Sequence, residues 1–265
     1  MRSRYALRLV ALAYLALLLG IPVVLVFVNA FQDGIAAAWD AVTTPEAQHA
    51  FWLTLVMVAV AVPLNTIFGV LAALAIVRQR FRGRALLNAA IDLPFAVSPV
   101  VVGLALLLVY NRRDGWVGTW LAEHGVQVIF SVPGMILATM FVSLPFVARE
   151  TIPVLREIGT EQEQAAATLG AGPLQTFFRI TLPAIRWGVA YGVVLTTARA
   201  LGEFGAVSIV SGKLSGQTET ATLFVESEFR RFHETGAYAA SVVLALIALA
   251  TLLLMNLIKP KEAQA

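Results

Sequence analysis

Residues 52–77 read WLTLVMVAVAVPLNTIFGVLAALAIV, 26 residues without one ionisable side chain. At ~1.5 Å rise per residue, about 20 apolar residues in a helix cross the ~30 Å hydrocarbon layer of a bilayer. The run is therefore long and apolar enough to span lipid, and a helix satisfies its own backbone there. Five further apolar stretches flank it, at about 7–29, 91–110, 132–148, 188–210 and 237–258. The fourth has a shorter apolar core, and Pro145 and Pro153 predict a kinked extension of it. The pattern predicts an all-α integral membrane protein of about six transmembrane helices.

Composition agrees with this reading. The 265 residues are 59% hydrophobic and 13% charged, where soluble domains carry about 25% charged residues. There are no cysteines, which excludes disulfides, thiolate metal sites and cysteine nucleophiles. The net charge is only +3, and no run of Lys and Arg forms a nucleic-acid patch. Arg2, Arg4 and Arg8 before the first apolar run give it the look of a signal peptide. The run is too long for a signal-peptide core of ~7–15 residues, so it reads as a retained helix. Thirteen of the 19 Lys and Arg fall on one side of the expected spans, among them Arg78, Arg80, Arg82, Arg84, Arg149, Arg156, Arg179 and Arg186. The positive-inside bias places both termini in the cytoplasm. The expected organisation is a first helix with an outward loop (1–50), a transmembrane domain (51–258) and a cytoplasmic tail (259–265). The loops at 110–131 and 211–236 face outward in this scheme. The largest inner loop is 149–187, and no internal repeat is visible.

That inner loop reads as two short helices around a sharp turn. Thr160 and Glu163 have the spacing of a capping box, which predicts a helix from about residue 161. Gly170 supplies the left-handed position that ends it, and Gly172-Pro173 starts a second helix. Pro183 is expected to close that second helix before the next span. By periodicity alone, the loop reads equally well as an amphipathic hairpin on the membrane surface.

The order Gln164-Ala165-Ala166, three residues, Gly170, nine residues, Ile180-x-Leu182-Pro183 resembles the signature of ABC importer permeases, and it sits before the penultimate span as that family requires. The resemblance implies a type I importer permease architecture. It also implies a coupling helix in which Gln164, Ala165, Ala166, Gly170, Ile180, Leu182 and Pro183 dock on a separate ATPase. Gln164 stands where the family usually has Glu, so any pairing made by that charge is altered here. This chain holds no Gly-x4-Gly-Lys-Ser/Thr phosphate cradle. At Gly212-Lys213, the nearest fragment, Val207 and Leu214 occupy the required flanking positions. ATP and Mg would therefore belong to the partner, and the chain is expected to be no enzyme and to hold no cofactor. His49, His124 and His233 lack metal-ligand spacing and read as solvated loop residues.

Arg199 and Glu203 fall inside the fifth apolar stretch. Counting from Gly188, Arg199 would lie ~18 Å deep. A charge facing lipid there costs at least ~2.5–3.5 kcal/mol, so the pair must face protein or water. A structural salt bridge and an element of an anion path or gate are both consistent with it. In the third stretch, Pro94 and Pro99 break the helical ladder. Ser98 could offer a donor to an oxyanion there, although a packing kink explains the prolines as well.

The segments Arg199–Val207, Asp92–Val101, Leu144–Glu150 and Ser211–Glu226 resemble the W-type permeases of the sulfate/thiosulfate importers, and the resemblance covers nearly the whole chain from Phe51. It implies a second, T-type permease, two ATPase subunits and an external sulfate-binding protein as partners. Leu223, Val225 and Phe229 predict a short amphipathic helix in the outer loop. A solvated helix and a docking site for the binding protein are the two readings of it. Molybdate or tungstate cargo, an ATP-independent anion carrier and a membrane anchor remain as alternatives.

Overall fold

The computed structural model describes residues 2–258, and every regular element among them is helical. The tail at 259–265 lies outside the described residues. By length and composition, five helices can cross a membrane, or six if one sharply bent pair is counted as a span. Helix α1, Leu7–Ala30, is the first, loosened by a π turn at Ala16–Gly20. A short α2, Ile35–Val42, follows. Helix α3, Pro45–Arg78, starts ahead of its apolar run because Thr44 Oγ1 caps the Ala47 amide (3.2 Å) and Pro45 and Glu46 suit a first turn.

The third stretch is not one straight span. Helix α4, Arg84–Ala96, and helix α5, Pro99–Tyr110, meet at 113°. Ser98 precedes a proline and is held extended, at φ −60° and ψ 137°, as proline demands of its predecessor. After the short α6, Gly118–Glu123, helix α7 runs Val132–Glu157. It carries the fourth stretch past both prolines, as the expected extension.

The inner loop begins with α8, Glu161–Thr168. Helix α9 then runs Pro173–Leu201, including a π turn at Phe177–Thr181. Pro183 therefore does not close the second hairpin helix. It sits directly after the π turn, as the second residue of the regular α-helix Leu182–Leu201, and the chain stays helical through it. The fifth span also ends early, at Leu201. Residues 202–206 are non-helical, and a four-residue α10, Val207–Val210, completes the apolar stretch. Helix α11, Ala221–Arg230, and α12, Glu234–Ile258, finish the described chain.

Helices α3, α7 and α9 pack together at the centre. In lipid the apolar effect does not drive helices together, so close contact rests on small residues. Here Gly69 and Gly192 clasp Val147 from two sides. A Cβ on Gly69 would sit 2.7 Å from Val147 Cβ, and one on Gly192 would sit 2.6 Å from Val147 Cα. One apolar cluster (Val70, Ala73, Ile76, Ile91, Val147, Leu155) fills the hairpin end of the bundle. Another (Leu53, Met57, Met135, Val207, Val210, Leu223) fills the opposite end. Helix α1 lies along α12. Its apolar side chains are exposed from Leu7 to Leu19 and from Ile21 to Leu25, while Val26 and Phe27 are half-buried and Ala30 is buried.

Candidate functional site

The hairpin of α8 and the start of α9 is built as the sequence predicts at its tip. Gly170 takes φ +85°. The Gly170 amide donates to Ala167 O (3.0 Å) and the Ala171 amide to Ala166 O (3.0 Å), the paired bonds of a Schellman end. Ala166 is buried, whereas Gln164, Ala165 and Gly170 are exposed. Ile180 and Leu182 are half-buried and Pro183 is exposed. Leu169, Leu174 and Phe178 are 88%, 75% and 61% exposed, so the hairpin presents apolar side chains that no described residue covers.

The capping box is not formed. Thr160 makes no side-chain cap to the helix amides, and its hydroxyl instead accepts from Gln164 Nε2 (3.1 Å). Glu163 turns inward, with Oε2 3.0 Å from Arg78 Nε and Oε1 accepting from Thr181 Oγ1 at 2.9 Å. The charge missing at Gln164 is therefore not supplied by its neighbour.

At the other end of α9 the structure places Arg199 in the last helical turn and Glu203 beyond the helix. The depth counted from Gly188 does not carry over, because the helix is already running at Leu182 and stops at Leu201. The pair itself forms, with Arg199 Nη1 2.6 Å from Glu203 Oε2. The Glu203 side chain is 1% exposed and that of Arg199 31%. Glu203 Oε1 accepts from the Ala206 amide (2.8 Å), and Thr222 Oγ1 donates to Glu203 O (2.8 Å). The carboxylate thus neutralises Arg199 and also holds the turn that breaks the span.

The two chain breaks meet. A Cβ on Gly205 would lie 2.9 Å from Pro99 Cβ, and one on Gly103 would lie 2.8 Å from Ala206 O. Ser98 and the Arg199–Glu203 turn are therefore neighbours through Pro99 and Gly205. The Ser98 side chain is exposed and makes no hydrogen bond among the described residues. Such irregular backbone at membrane depth is tolerated only where protein or a water-filled cavity covers it.

The loop at 211–236 is not simply solvated. Ser211, Thr218, Glu219, Thr220, Ala221, Leu223 and Phe224 are buried. The amide of Ala221 donates to Thr54 Oγ1 of α3 (2.9 Å). The expected amphipathic helix is present as α11. Of the histidines, His49 is a half-buried residue of α3 and not a loop residue. Among the described residues no group of three His, Asp or Glu converges in a way that could hold a metal ion.

A family model described as binding-protein-dependent transport system inner membrane component matches residues 65–264. The chain belongs to that family. Among curated relatives, the sulfate transport system permease protein CysW of Synechocystis sp. (strain ATCC 27184 / PCC 6803 / Kazusa) is 51% identical over 260 residues, covering 98% of this chain and 94% of the relative. The protein of the same name from Escherichia coli (strain K12) is 46% identical, covering 92% and 84%. A bacterial alginate ABC transporter chain shares the fold at TM-score 0.81 and 19% identity, covering 98% of this chain and 95% of that one. The chain is thus a multi-pass inner-membrane transport component with the fold of an ABC importer permease.

In this permease, two ion pairs between residues distant in sequence, among the described residues, escaped the reading of the sequence. Arg78 and Glu163 are one; the other is Arg149 with Asp92, where Arg149 Nε donates to Asp92 Oδ1 at 2.6 Å. Each joins residues more than 50 positions apart, and no local pattern announces such a partner.

Proposed function

We propose that this chain is the membrane-spanning subunit of an ATP-driven importer for sulfate, with thiosulfate as a related cargo. It acts beside a second permease subunit, two copies of a separate ATPase and an external binding protein. The observation that carries the subunit role is the hairpin. Its Schellman turn is closed by two backbone bonds, and Leu169, Leu174 and Phe178 stand exposed beside it. Exposed apolar patches mark a protein or membrane contact, and the signature at 164–183 favours the former. The motor would grip there, with both termini in the cytoplasm as the arginine distribution requires.

The break formed by Ser98-Pro99 and Arg199–Glu203 supplies the path or gate in this reading. Arg199 is the half-exposed cation, and Glu203 is the counter-charge an incoming oxyanion displaces or shares. Two discrete arrangements of the pair would let a displacement at the hairpin end open or close the passage. Sulfate as cargo draws its support from the sulfate permeases that the chain resembles.

The test is uptake of labelled sulfate in cells lacking this chain, with and without the chain restored, competed by thiosulfate, molybdate and phosphate. Restored uptake suppressed by thiosulfate and indifferent to phosphate supports the reading. Uptake suppressed by molybdate alone would move the cargo to molybdate. Uptake that persists without any ATPase subunit would leave an ATP-independent carrier.

A further inference from the structure

Arg78 ends α3, where the positive-inside pattern accounts for it as one basic residue among several. Its contacts go further. Nε lies 3.0 Å from Glu163 Oε2. Nη1 donates to Leu155 O at 3.0 Å, and Nη2 donates to Gly159 O at 2.6 Å and to Glu163 Oε1 at 3.3 Å. One guanidinium thus holds the last turn of α7, the turn after it at Gly159 (φ +62°) and the first turn of α8. Glu163 in turn accepts from Thr181 in the π turn of α9 at 2.9 Å. Four segments, the end of α3, the end of α7, α8 and the foot of α9, are tied at one point.

Packing does little to duplicate this tie. Ala166 is the one buried residue of α8. An open pocket of about 390 Å³, lined by Leu74, Arg78, Glu163, Ala167, Thr176 and Phe177, lies where the hairpin meets α3. Among the described residues, the Arg78–Glu163 pair is the polar link between α8 and α3. The arginine and glutamate side chains are only 15% and 21% exposed, so water screens the pair weakly. A lysine could not reproduce the arrangement, because its single ammonium cannot serve the carboxylate and two separate carbonyls with a planar fork.

We propose that Arg78 is the positioning residue through which displacement of the hairpin reaches α3 and α7, with Glu163 as its grip on α8. An element that sits over a hollow and is pinned at one charged joint moves as a lever. Without the joint, α8 stays tied to the bundle only through the ends of α7 and α9, and its displacement no longer pulls directly on α3. This rests on the reading of the hairpin as the motor's contact.

The experiment uses the complete importer reconstituted in lipid, with sulfate-loaded binding protein outside. ATP hydrolysed and sulfate taken up are read on the same sample. Glu163→Gln preserves volume and the acceptor for Thr181 but removes the charge that holds Arg78. Its ATPase subunits are expected to remain bound and to hydrolyse ATP, while sulfate moved per ATP falls about tenfold, in the usual range of coupling between sites. Arg78→Lys is expected to fall between this variant and the parent.

A Glu163→Gln importer with the parent's ratio of sulfate to ATP overturns the proposal. Loss of the ATPase from that variant also overturns it, since Glu163 would then be a docking residue. Failure of both variants to assemble overturns it too, because the pair would then serve folding alone. A third variant separates this from the underlying reading. Leu169→Arg, at the tip, is expected to strip the ATPase from the complex. If the ATPase stays fully bound to Leu169→Arg, the hairpin is not the motor's contact and both ideas fall. If it is lost there while Glu163→Gln keeps full coupling, only the joint is wrong.

Discussion

Arg199 and Glu203 are four residues apart and would face the same way on any helix, so their pairing was open to inspection in the sequence. Their burial was not. Glu203 is enclosed because residues 202–206 leave the helix and Pro99 closes over Gly205. Removing a partner from a buried pair strands the other charge, at a cost of about 3–5 kcal/mol. Arg199 is 31% exposed, so water recovers part of that loss. Glu203→Ala should therefore fall near the low end, about 3 kcal/mol, as a lower unfolding midpoint in detergent. Arg199→Ala strands the buried carboxylate with only its bond from Ala206. It should therefore cost more, about 5 kcal/mol, and its uptake is compared at equal amounts of assembled complex. That variant is expected to assemble and to transport less sulfate, and uptake equal to the parent's would remove Arg199 from the anion path. At the bundle centre, a Cβ at Gly192 meets Val147 Cα, which is backbone and cannot rotate away. Gly192→Val should cost about 1–3 kcal/mol as overpacking, again read as the unfolding midpoint.

The hairpin shows which signals survive at the level of an element. Gly170 and Gly172-Pro173 act through backbone conformation, a property of the residue itself, and both turned out where the sequence placed them. The capping box failed because Glu163 had a better offer from a distant arginine than from the nearby amide of Thr160. The end of α9 failed for a related reason. Apolar character runs on to Val210, but the helix stops at Leu201, where the Glu203 carboxylate and the packing of Ala206 on Gly103 stabilise a turn instead. Nothing lies within 4 Å of a Cβ at Gly170, so Gly170→Val strains only the backbone, by about 1–2 kcal/mol. Uptake measured against ATP hydrolysis should show hydrolysis persisting while transport is lost. Full coupled activity would show that the turn's geometry does not matter to the motor.

Across the whole molecule, orientation remains the most accessible quantity to measure. The chain has no cysteine, so one introduced thiol reports alone. Trp116 and Leu169 are both almost fully exposed, on outer and inner loops in the proposed topology. A membrane-impermeant maleimide should label Trp116→Cys in intact cells and Leu169→Cys only after permeabilisation; the reverse pattern would invert the assignment. The number of lipid-crossing segments, the hairpin and the likeness to importer permeases were all legible in the sequence. Hydrocarbon thickness sets span length, and turn residues carry their own conformational preference. The tertiary structure alone decided that the third span is bent, that the fifth ends early, and that Arg78 reaches Glu163 and the end of α7. It also buried Thr218–Ala221, Leu223 and Phe224 of the 211–236 loop, with the Ala221 amide donating to Thr54 of α3. The last two depend on which carbonyl, carboxylate or hydroxyl lies within about 3 Å of a group 77 to 167 residues away. The bend and the early end are fixed where Pro99 meets Gly205 and Gly103 meets Ala206 across the chain, and linear order encodes neither proximity.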